Sequence, residues 1–96
     1  MISTKERSTL KGIAVNLQPK MQIGKDGLTE NSLKQIIDML EKNEIVKISV
    51  LNNCDYTAKE LMNMVCESVN CEPVLAIGNK IVVYKKSSKK DVKHIL

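Results

Sequence analysis

Apolar residues recur with a helical period in three segments of the chain, and the first of these begins at Ser3. Ser3 and Glu6 have the spacing of a capping box, in which a serine hydroxyl accepts from the third amide and a glutamate reaches back to the cap. The apolar stripe that follows has the spacing i, i+3, i+4 and i+7 and consists of Leu10, Ile13, Ala14 and Leu17. This pattern predicts a first helix, which Pro19 closes.

The second helical segment follows Thr29, a residue type that commonly caps helix N-termini. Leu28 and Leu33 have the spacing of a hydrophobic staple around this cap. The predicted buried face consists of the apolar residues Leu33, Ile36, Ile37 and Leu40. Asn43 is the predicted end of the helix, because asparagine tolerates the left-handed conformation that often follows a last turn.

A second capping box, formed by Thr57 and Glu60, predicts the start of a third helix. Its apolar residues again share one side, which consists of Ala58, Leu61, Met62, Val65 and Val69. Asn70 is the predicted end of this helix. Each of the three helices therefore has an apolar side that must pack against another element.

Strand patterns occur between and after the helices. Residues 21–23 form a short candidate strand, and residues 44–51 alternate β-branched with polar positions, which is typical of a strand. Residues 73–77 and 80–84 predict a hairpin, because the intervening Gly-Asn pair at 78–79 supplies the positive φ values that a two-residue turn needs.

The predicted element order is α-β-α-β-α-β-β. Strands that alternate with helices and end in a hairpin favour an α/β (α+β) fold in two layers, with helices packed on a four-stranded mixed sheet. The chain has 96 residues, which suits one domain, and we assign that domain to residues 1–86. Residues 87–96 are rich in lysine and have no apolar period, so they are predicted to be a disordered basic tail.

The formal net charge of +4 is distributed unevenly. Residues 1–25 carry five cations and one acid, residues 85–96 also carry five cations and one acid, and residues 26–84 carry nine acids and five lysines. Clustered positive charge is typical of proteins that bind polyanions. For the C-terminal tail alone, a solvated segment without a partner is the favoured interpretation.

Composition disfavours several classes of protein. Without Phe or Trp and with two tyrosines, the chain lacks the row of exposed aromatics that stacks single-stranded RNA bases. The single histidine, His94, lies near the C-terminus and the carboxylates form no evident acid–base pair, so we expect no enzymatic activity. No apolar run has the length of a membrane helix and no signal peptide is evident. We expect a soluble, cytoplasmic monomer that is not bound to membranes.

The three cysteines, Cys54, Cys66 and Cys71, are too few for a disulfide framework and indicate a reducing compartment. Four residues separate Cys66 from Cys71, and no CxxC pair is present. A structural zinc site requires four well-spaced ligands. We therefore expect free thiols, no metal and no cofactor.

The strongest candidate for binding chemistry is the segment Gly24-Lys25-Asp26-Gly27, between a predicted strand and a predicted helix. Two glycines three positions apart permit unusual dihedral angles and leave the backbone accessible. Backbone N–H groups at the start of the following helix can then face a phosphate, with Lys25 as a mobile charge. The alternative is a tight turn that needs glycine for geometry alone, and the four residues taken by themselves favour that alternative.

Two further places carry candidate chemistry. Arg7 and Lys11 are four residues apart on the first predicted helix and therefore project side by side. Tyr84 ends the last predicted strand and precedes Lys85 and Lys86. The favoured interpretation is that the Tyr84 ring packs on the sheet as an edge residue, and the alternative is that it stacks on a nucleotide beside the two lysines.

Three landmarks together resemble the CRM domain family, namely Leu10-Lys11-Gly12, residues 24–29 (GKDGLT) and residues 77–84 (IGNKIVVY). The resemblance extends over residues 3 to about 86 and is strongest to the small stand-alone bacterial members of the YhbY type. It implies an RNA-binding module without catalytic activity, with a fold similar to the C-terminal domain of bacterial translation initiation factor three. The GxxG loop of the family is likened to that of KH domains, which clamps a nucleotide backbone.

Stand-alone members of the family are associated with precursors of the large ribosomal subunit. The resemblance therefore implies binding of structured ribosomal RNA in large-subunit assembly, with ribosomal RNA and precursor particles as partners and no small-molecule substrate. The candidate RNA-binding residues are Gly24, Lys25, Asp26, Gly27, Arg7, Lys11, Lys20, Lys80, Tyr84, Lys85 and Lys86. Tyr84-Lys85 stands where the family often has Tyr-Arg, and lysine lacks the planar bidentate fork of arginine.

An alternative hypothesis is a protein-interaction adaptor on the ribosome. In that case the acidic middle of the chain and the exposed face of the second helix contact a basic ribosomal protein, and contact with RNA is incidental. Under the first hypothesis, the scarcity of aromatic residues favours recognition of RNA shape and phosphates over the reading of bases.

Overall fold

A computed structural model describes residues 3–87 of the chain. The elements, in chain order, are α1 (Thr4–Ala14), β1 (Met21–Ile23), α2 (Glu30–Asn43), β2 (Ile45–Val50), α3 (Ala58–Val69), β3 (Glu72–Ile77) and β4 (Lys80–Tyr84). The predicted order α-β-α-β-α-β-β is confirmed, including the final hairpin. The remainder of the predicted tail, residues 88–96, lies outside the described residues, and so does His94.

All three helices begin where the capping signals predict. The Ser3 hydroxyl accepts from the Glu6 N–H at 3.1 Å, and the Glu6 carboxylate accepts from the Ser3 N–H at 3.0 Å. The same two bonds between Thr57 and Glu60 measure 3.2 and 3.1 Å. Thr29 accepts from the third amide of α2 at 3.1 Å. Because each cap is satisfied within four residues, it can be recognised in the sequence alone.

The first helix ends at Ala14, earlier than the predicted stop at Pro19. The N–H groups of the second and third residues after the helix bond to carbonyls three residues back, at 3.2 and 3.1 Å, so the last turn tightens and leaves the α-helical path. The Lys47 ammonium of β2 donates to the carbonyls of Ala14 and Leu17 at 3.4 and 3.3 Å. A lysine from another element therefore satisfies the helix end.

The residue that terminates α2 in the left-handed conformation is Glu44, with φ 65°, and the prediction of Asn43 was wrong by one position. The left-handed conformation costs a non-glycine residue about 1 kcal/mol, which other contacts must offset. Glu44 is fully buried, its carboxylate accepts from the Ser87 N–H at 2.7 Å and its carbonyl accepts from the Lys85 N–H at 2.8 Å. By contrast, Asn70 ends α3 with φ 57°, as predicted.

The packed domain extends past the boundary predicted at residue 86. Ser87 is buried, and its hydroxyl donates to the Glu41 carbonyl at 2.7 Å in addition to the backbone bond with Glu44. Assigning Ser87 to the tail was therefore wrong. Its partners lie 43 and 46 positions earlier in the chain, so no local pattern could have indicated this contact.

The four strands form one mixed sheet in the order β1-β2-β4-β3. β1 and β2 are parallel, whereas β4 is antiparallel to both β2 and β3. The register pairs Ile23 with Val50 and Ser49 with Lys80. It shifts between Pro73 and Leu75 on β3, which is an edge strand. The other edge of the sheet is β1.

Helices cover both faces of this sheet, so the fold has three layers where two were predicted. Successive residues of β4 point to opposite faces and all of them are apolar from Ile81 to Tyr84, so both faces need cover. On one face, Ile81 and Val83 belong to the core formed with α2 and α3. On the other face, Val82 and Tyr84 pack with Leu10 of α1.

The predicted apolar side of α3 is confirmed, since Leu61, Val65 and Val69 are buried. On α2 the prediction was partly wrong, because Ile37 is 43% exposed while Ile36 is fully buried. Consecutive helical residues are rotated by about 100° about the axis, so burying Ile36 turns its neighbour toward solvent.

Candidate nucleic-acid interface

Two loops meet at one end of the sheet. β1 and β2 are parallel neighbours, so the loops that follow their C-terminal ends lie at the same end of the sheet; these loops are residues 24–29 and 51–57. We call this end of the sheet the loop edge. The Leu51 N–H donates to the Ile23 carbonyl at 2.8 Å, which joins the two loops at their bases. The N-termini of α2 and α3 follow these loops, so both positive helix ends lie at the loop edge.

The glycine loop, residues 24–27, is a tight turn in which the Gly27 N–H donates to the Gly24 carbonyl at 2.9 Å. Gly27 has φ +63°, a conformation that glycine adopts at no steric cost. At Gly24 an added Cβ would lie 3.2 Å from both Asn53 Oδ1 and Leu51 Cδ1. Both glycines therefore serve the turn geometry, while Lys25 and Asp26 at the tip are exposed.

Tyr56 lies beside the glycine loop, and sequence reasoning did not place it there. Its ring carbon Cε2 is 3.6 Å from where a Cβ on Gly27 would lie, and the side chain is 44% exposed. The signal that could have indicated this position is the parallel pairing of β1 and β2, because it places both following loops at one edge. That pairing cannot be recognised from either segment alone.

Lys20 and Lys80, two of the predicted cations, line one groove. This sheet groove, of about 760 Å³, runs along β1 and is also lined by Gln22 and Ser49. The Lys80 ammonium donates to Ser49 Oγ at 2.8 Å and to Asn79 Oδ1 at 3.1 Å, which holds it over the sheet. α1 covers the same face further along the strands, so this part of the face is left open.

The basic residues of α1 lie elsewhere. Arg7 and Lys11 line a groove of about 460 Å³ that follows the edge strand β3, and we call it the β3 groove. Lys59 of α3, which sequence reasoning missed, lines the same groove. The Arg7 Nε atom is buried and has no hydrogen-bond partner among the described residues. The sheet groove and the β3 groove share no lining residue, so the predicted cations belong to two separate surfaces.

Tyr84 is only 5% exposed, so its ring face is not available to a nucleotide. The interpretation that the ring packs on the sheet is confirmed, but β4 is an internal strand, and Tyr84 pairs with Ile45 on one side and Glu72 on the other. Burial raises the pKa of its hydroxyl, and the charges of Glu44 and Glu6 raise it further. The burial of Tyr84 therefore excludes stacking of a nucleotide on its ring in this structure.

The lysines after Tyr84 lie at the end of the sheet opposite the loop edge. Lys85 is half-buried, and its ammonium donates to the Val69 carbonyl at 3.2 Å, where it satisfies the C-terminal end of α3. Lys86 is exposed. The structure therefore does not bring Lys85 and Lys86 together with the glycine loop.

Within residues 3–87, no group of three or more His, Cys, Asp and Glu side chains is arranged to hold a metal ion. Over the same range, no helix has both the length and the apolar composition to span a bilayer. The three cysteines are free thiols. At the loop edge and in the two grooves, the described residues offer backbone N–H groups, helix N-termini and cationic side chains.

Comparison with known proteins agrees with this picture. The pattern of the CRS1 / YhbY (CRM) domain matches residues 2–85. The chain is 37% identical over 87 residues to the probable RNA-binding protein YqeI of Bacillus subtilis, with 91% of each chain covered. It is 33% identical over 86 residues to an RNA-binding protein of Haemophilus influenzae, covering 90% of this chain and 87% of that one.

A solved structure has the same fold. The solution structure of SAV1595 from Staphylococcus aureus, described there as a candidate RNA-binding protein, superposes with a TM-score of 0.78 at 39% identity. The match covers 98% of this chain and 99% of that one. The mixed sheet with three helices is therefore shared over essentially the whole length.

Proposed function

Because the chain belongs to the CRS1 / YhbY (CRM) domain family, we propose that it is a non-enzymatic protein that binds structured ribosomal RNA and acts in assembly of the large ribosomal subunit. The observation that carries the proposal is the arrangement at the loop edge. There an exposed glycine loop and two helix N-termini lie at one end of the sheet, and the groove with Lys20 and Lys80 runs along the adjacent strand β1. This combination suits a phosphate backbone.

In this proposal the glycine loop approaches the RNA backbone closely. The glycines at positions 24 and 27 keep the turn tight so that its exposed tip can face a phosphate, and the positive end of α2 adds a favourable dipole. Lys25 supplies a mobile charge at the tip, whereas Asp26 is mildly unfavourable beside a phosphate. Lys20 and Lys80 then neutralise neighbouring phosphates along β1.

The β3 groove is the second contact surface in the proposal. Arg7, Lys11 and Lys59 line it, and no acidic residue does. The sheet groove runs along β1 and the β3 groove along β3, at opposite edges of the sheet, so one RNA must span the sheet to contact both. Contact with two grooves favours a structured RNA, which presents phosphates on more than one strand. It also agrees with recognition by shape and phosphates, because Tyr56 is the one exposed aromatic side chain in the described range.

The test is sedimentation of a tagged copy from a cell lysate at low and high salt, followed by crosslinking to ribosomal RNA. We expect co-migration with large-subunit precursors that is lost at high salt, since released counterions drive phosphate binding. Replacing Lys25 and Lys80 together by alanine should weaken it. The matched control is Lys42→Ala, an exposed lysine in the last turn of α2, which should change nothing. Protein that stays at the top of the gradient at both salts contradicts the assembly role.

The adaptor hypothesis retains one favourable observation, the exposed apolar side chain of Ile37 on α2. If α2 docks on a ribosomal protein, Ile37→Asp should abolish co-migration while purified protein still binds ribosomal RNA normally. If RNA holds the protein on the particle, Ile37→Asp co-migrates like the wild type. The two hypotheses therefore predict opposite results for the same variant.

A further inference from the structure

Two thiols lie side by side at the C-terminal end of α3. The Cys66 and Cys71 sulfur atoms are 3.6 Å apart, and the Cys71 thiol donates a hydrogen bond to Cys66. Both are free in this structure. Neither lines the sheet groove or the β3 groove, so the proposed function gives them no role.

The proximity follows from the way the helix ends. Asn70 is left-handed, and its N–H and that of Cys71 both bond to the Cys66 carbonyl, the latter at 3.3 Å. The bond from Cys71 is the 6→1 bond of the Schellman motif and the bond from Asn70 is the 5→1 bond of the αL motif, and together they fold Cys71 back over the residue five positions earlier. The pair brought together in this way is usually apolar. In this chain both members are cysteines.

The two thiols differ in accessibility and in acidity. Cys66 is half-buried, and the hydrogen bond from Cys71 lowers its pKa because it stabilises the thiolate. Cys71 is 8% exposed, and that same hydrogen bond together with burial raises its pKa. Cys66 is therefore the thiol that an oxidant in solution reaches first, and Cys71 is the neighbour in position to react with the product.

We propose that Cys66 and Cys71 are a reversible dithiol–disulfide site that hydrogen peroxide oxidises. The Cys66 thiolate attacks the peroxide, an S–O bond forms, the O–O bond breaks, and hydroxide leaves, which gives a sulfenic acid. The Cys71 sulfur then attacks the Cys66 sulfur, so that the S–S bond forms, the S–O bond breaks and the hydroxyl departs as water with the Cys71 proton. The two sulfurs lose two electrons, the peroxide becomes water, and a thiol reductant reverses the reaction.

The local geometry favours this bond. A disulfide requires sulfur atoms about 2.05 Å apart, so the present separation must shrink by about 1.5 Å. The Cys71 N–H already donates to the Cys66 carbonyl, so the two backbones are held close together before any S–S bond forms. Cys54 lies in the loop between β2 and α3, at the opposite end of α3, and serves as an internal reference for thiol reactivity.

The experiment treats the reduced full-length protein with hydrogen peroxide, blocks remaining thiols with an alkylating agent and measures the mass. We expect a loss of two hydrogen atoms, about 2 Da, before alkylation, and one alkylated thiol afterwards. Glu67 lies between the two cysteines, so a protease that cuts after glutamate separates them. The Cys66 and Cys71 peptides should then remain joined until a reductant is added.

Variants sharpen the assignment. Cys54→Ser should still lose about 2 Da, whereas Cys71→Ala should leave Cys66 to gain one or two oxygen atoms, about 16 or 32 Da. A linked peptide containing Cys54, disulfide-joined dimers, or oxygen addition without a link in the wild type would each overturn the proposal. The wild-type peptide map decides the question even if Cys71→Ala does not fold, because it requires no variant.

Discussion

The four glycines of the chain provide a graded test of the backbone argument, since each sits in a different environment. Gly27 and Gly78 have positive φ values of +63° and +57°. Gly24 has ordinary φ but close neighbours, and Gly12 lies on the exposed side of α1 with nothing within 4 Å of an added Cβ. Replacing each by alanine therefore changes one physical factor at a time.

The expected changes in the free energy of unfolding differ in sign and in size among the four substitutions. Gly27→Ala and Gly78→Ala force a Cβ into the left-handed region, which lowers the free energy of unfolding by about 1–2 kcal/mol. Gly24→Ala places a Cβ 3.2 Å from two side chains of an exposed loop, which can move, so we expect a loss below about 1 kcal/mol. Gly12→Ala should raise the free energy of unfolding by about 0.5–1 kcal/mol, because alanine is the better helix former.

Urea denaturation of the four variants, with thermal melts as a cross-check, measures these differences, and each kcal/mol corresponds to a shift in Tm of roughly 4–8 °C for a domain of this size. Affinity for ribosomal RNA is then measured where every variant is folded. We expect weaker binding for Gly24→Ala and Gly27→Ala but not for Gly12→Ala. The reasoning is refuted if Gly12→Ala destabilises the protein as much as Gly27→Ala, or if the order of Gly24 and Gly27 is reversed.

Three further predictions concern other residues. Glu44→Ala should lower the free energy of unfolding by about 2 kcal/mol in urea denaturation, because the Ser87 N–H loses its carboxylate partner, and Glu44→Gln, which keeps an oxygen acceptor, should lose less. Because the pKa of Tyr84 is raised in the folded protein, the folded state keeps the hydroxyl proton at a pH where the unfolded state has lost it. The free energy of unfolding should therefore fall as pH rises above about 10, and it should fall less in Tyr84→Phe. Replacing the three cations Arg7, Lys11 and Lys59 by alanine should make RNA affinity depend less steeply on salt concentration. In a plot of log affinity against log salt concentration, the slope should change by up to about 0.9 for each lost phosphate contact. An unchanged slope, measured by fluorescence anisotropy, would contradict a role for the β3 groove.

Local signals predicted the elements well because their physical causes are local. The caps at Ser3 and Thr57 satisfy amides three residues away, and the hairpin turn needs only its own positive φ. The end of α2 differs, since Asn43 and Glu44 compete for one position. Hydrogen bonds to residues 85 and 87 stabilise Glu44 as the left-handed residue, and the sequence around residue 43 gives no indication of these contacts.

The candidate site divides in the same way. Strand, turn and helix start are consecutive around residues 24–29, so the glycine loop could be recognised from its spacing. The grouping of the cations could not, because Arg7 is on a helix that packs on the opposite face from α2 and reaches the far edge of the sheet. Lys59 and Tyr56 were missed for the same reason, since their relevant neighbours are distant in the chain.

The sequence by itself determined the order of elements, the helix starts, the glycine loop and the family resemblance carried by three landmarks. These features depend on interactions within a few residues or on the identity of the residues themselves. The tertiary structure alone decided the three layers, the burial of Tyr84 and Ser87, the separation of the cations into two surfaces and the contact between Cys66 and Cys71. The physical reason is that strand order and the side of the sheet on which each helix packs are set by burial of apolar area over the whole chain. The total apolar area that is buried cannot be worked out from any single segment of the sequence.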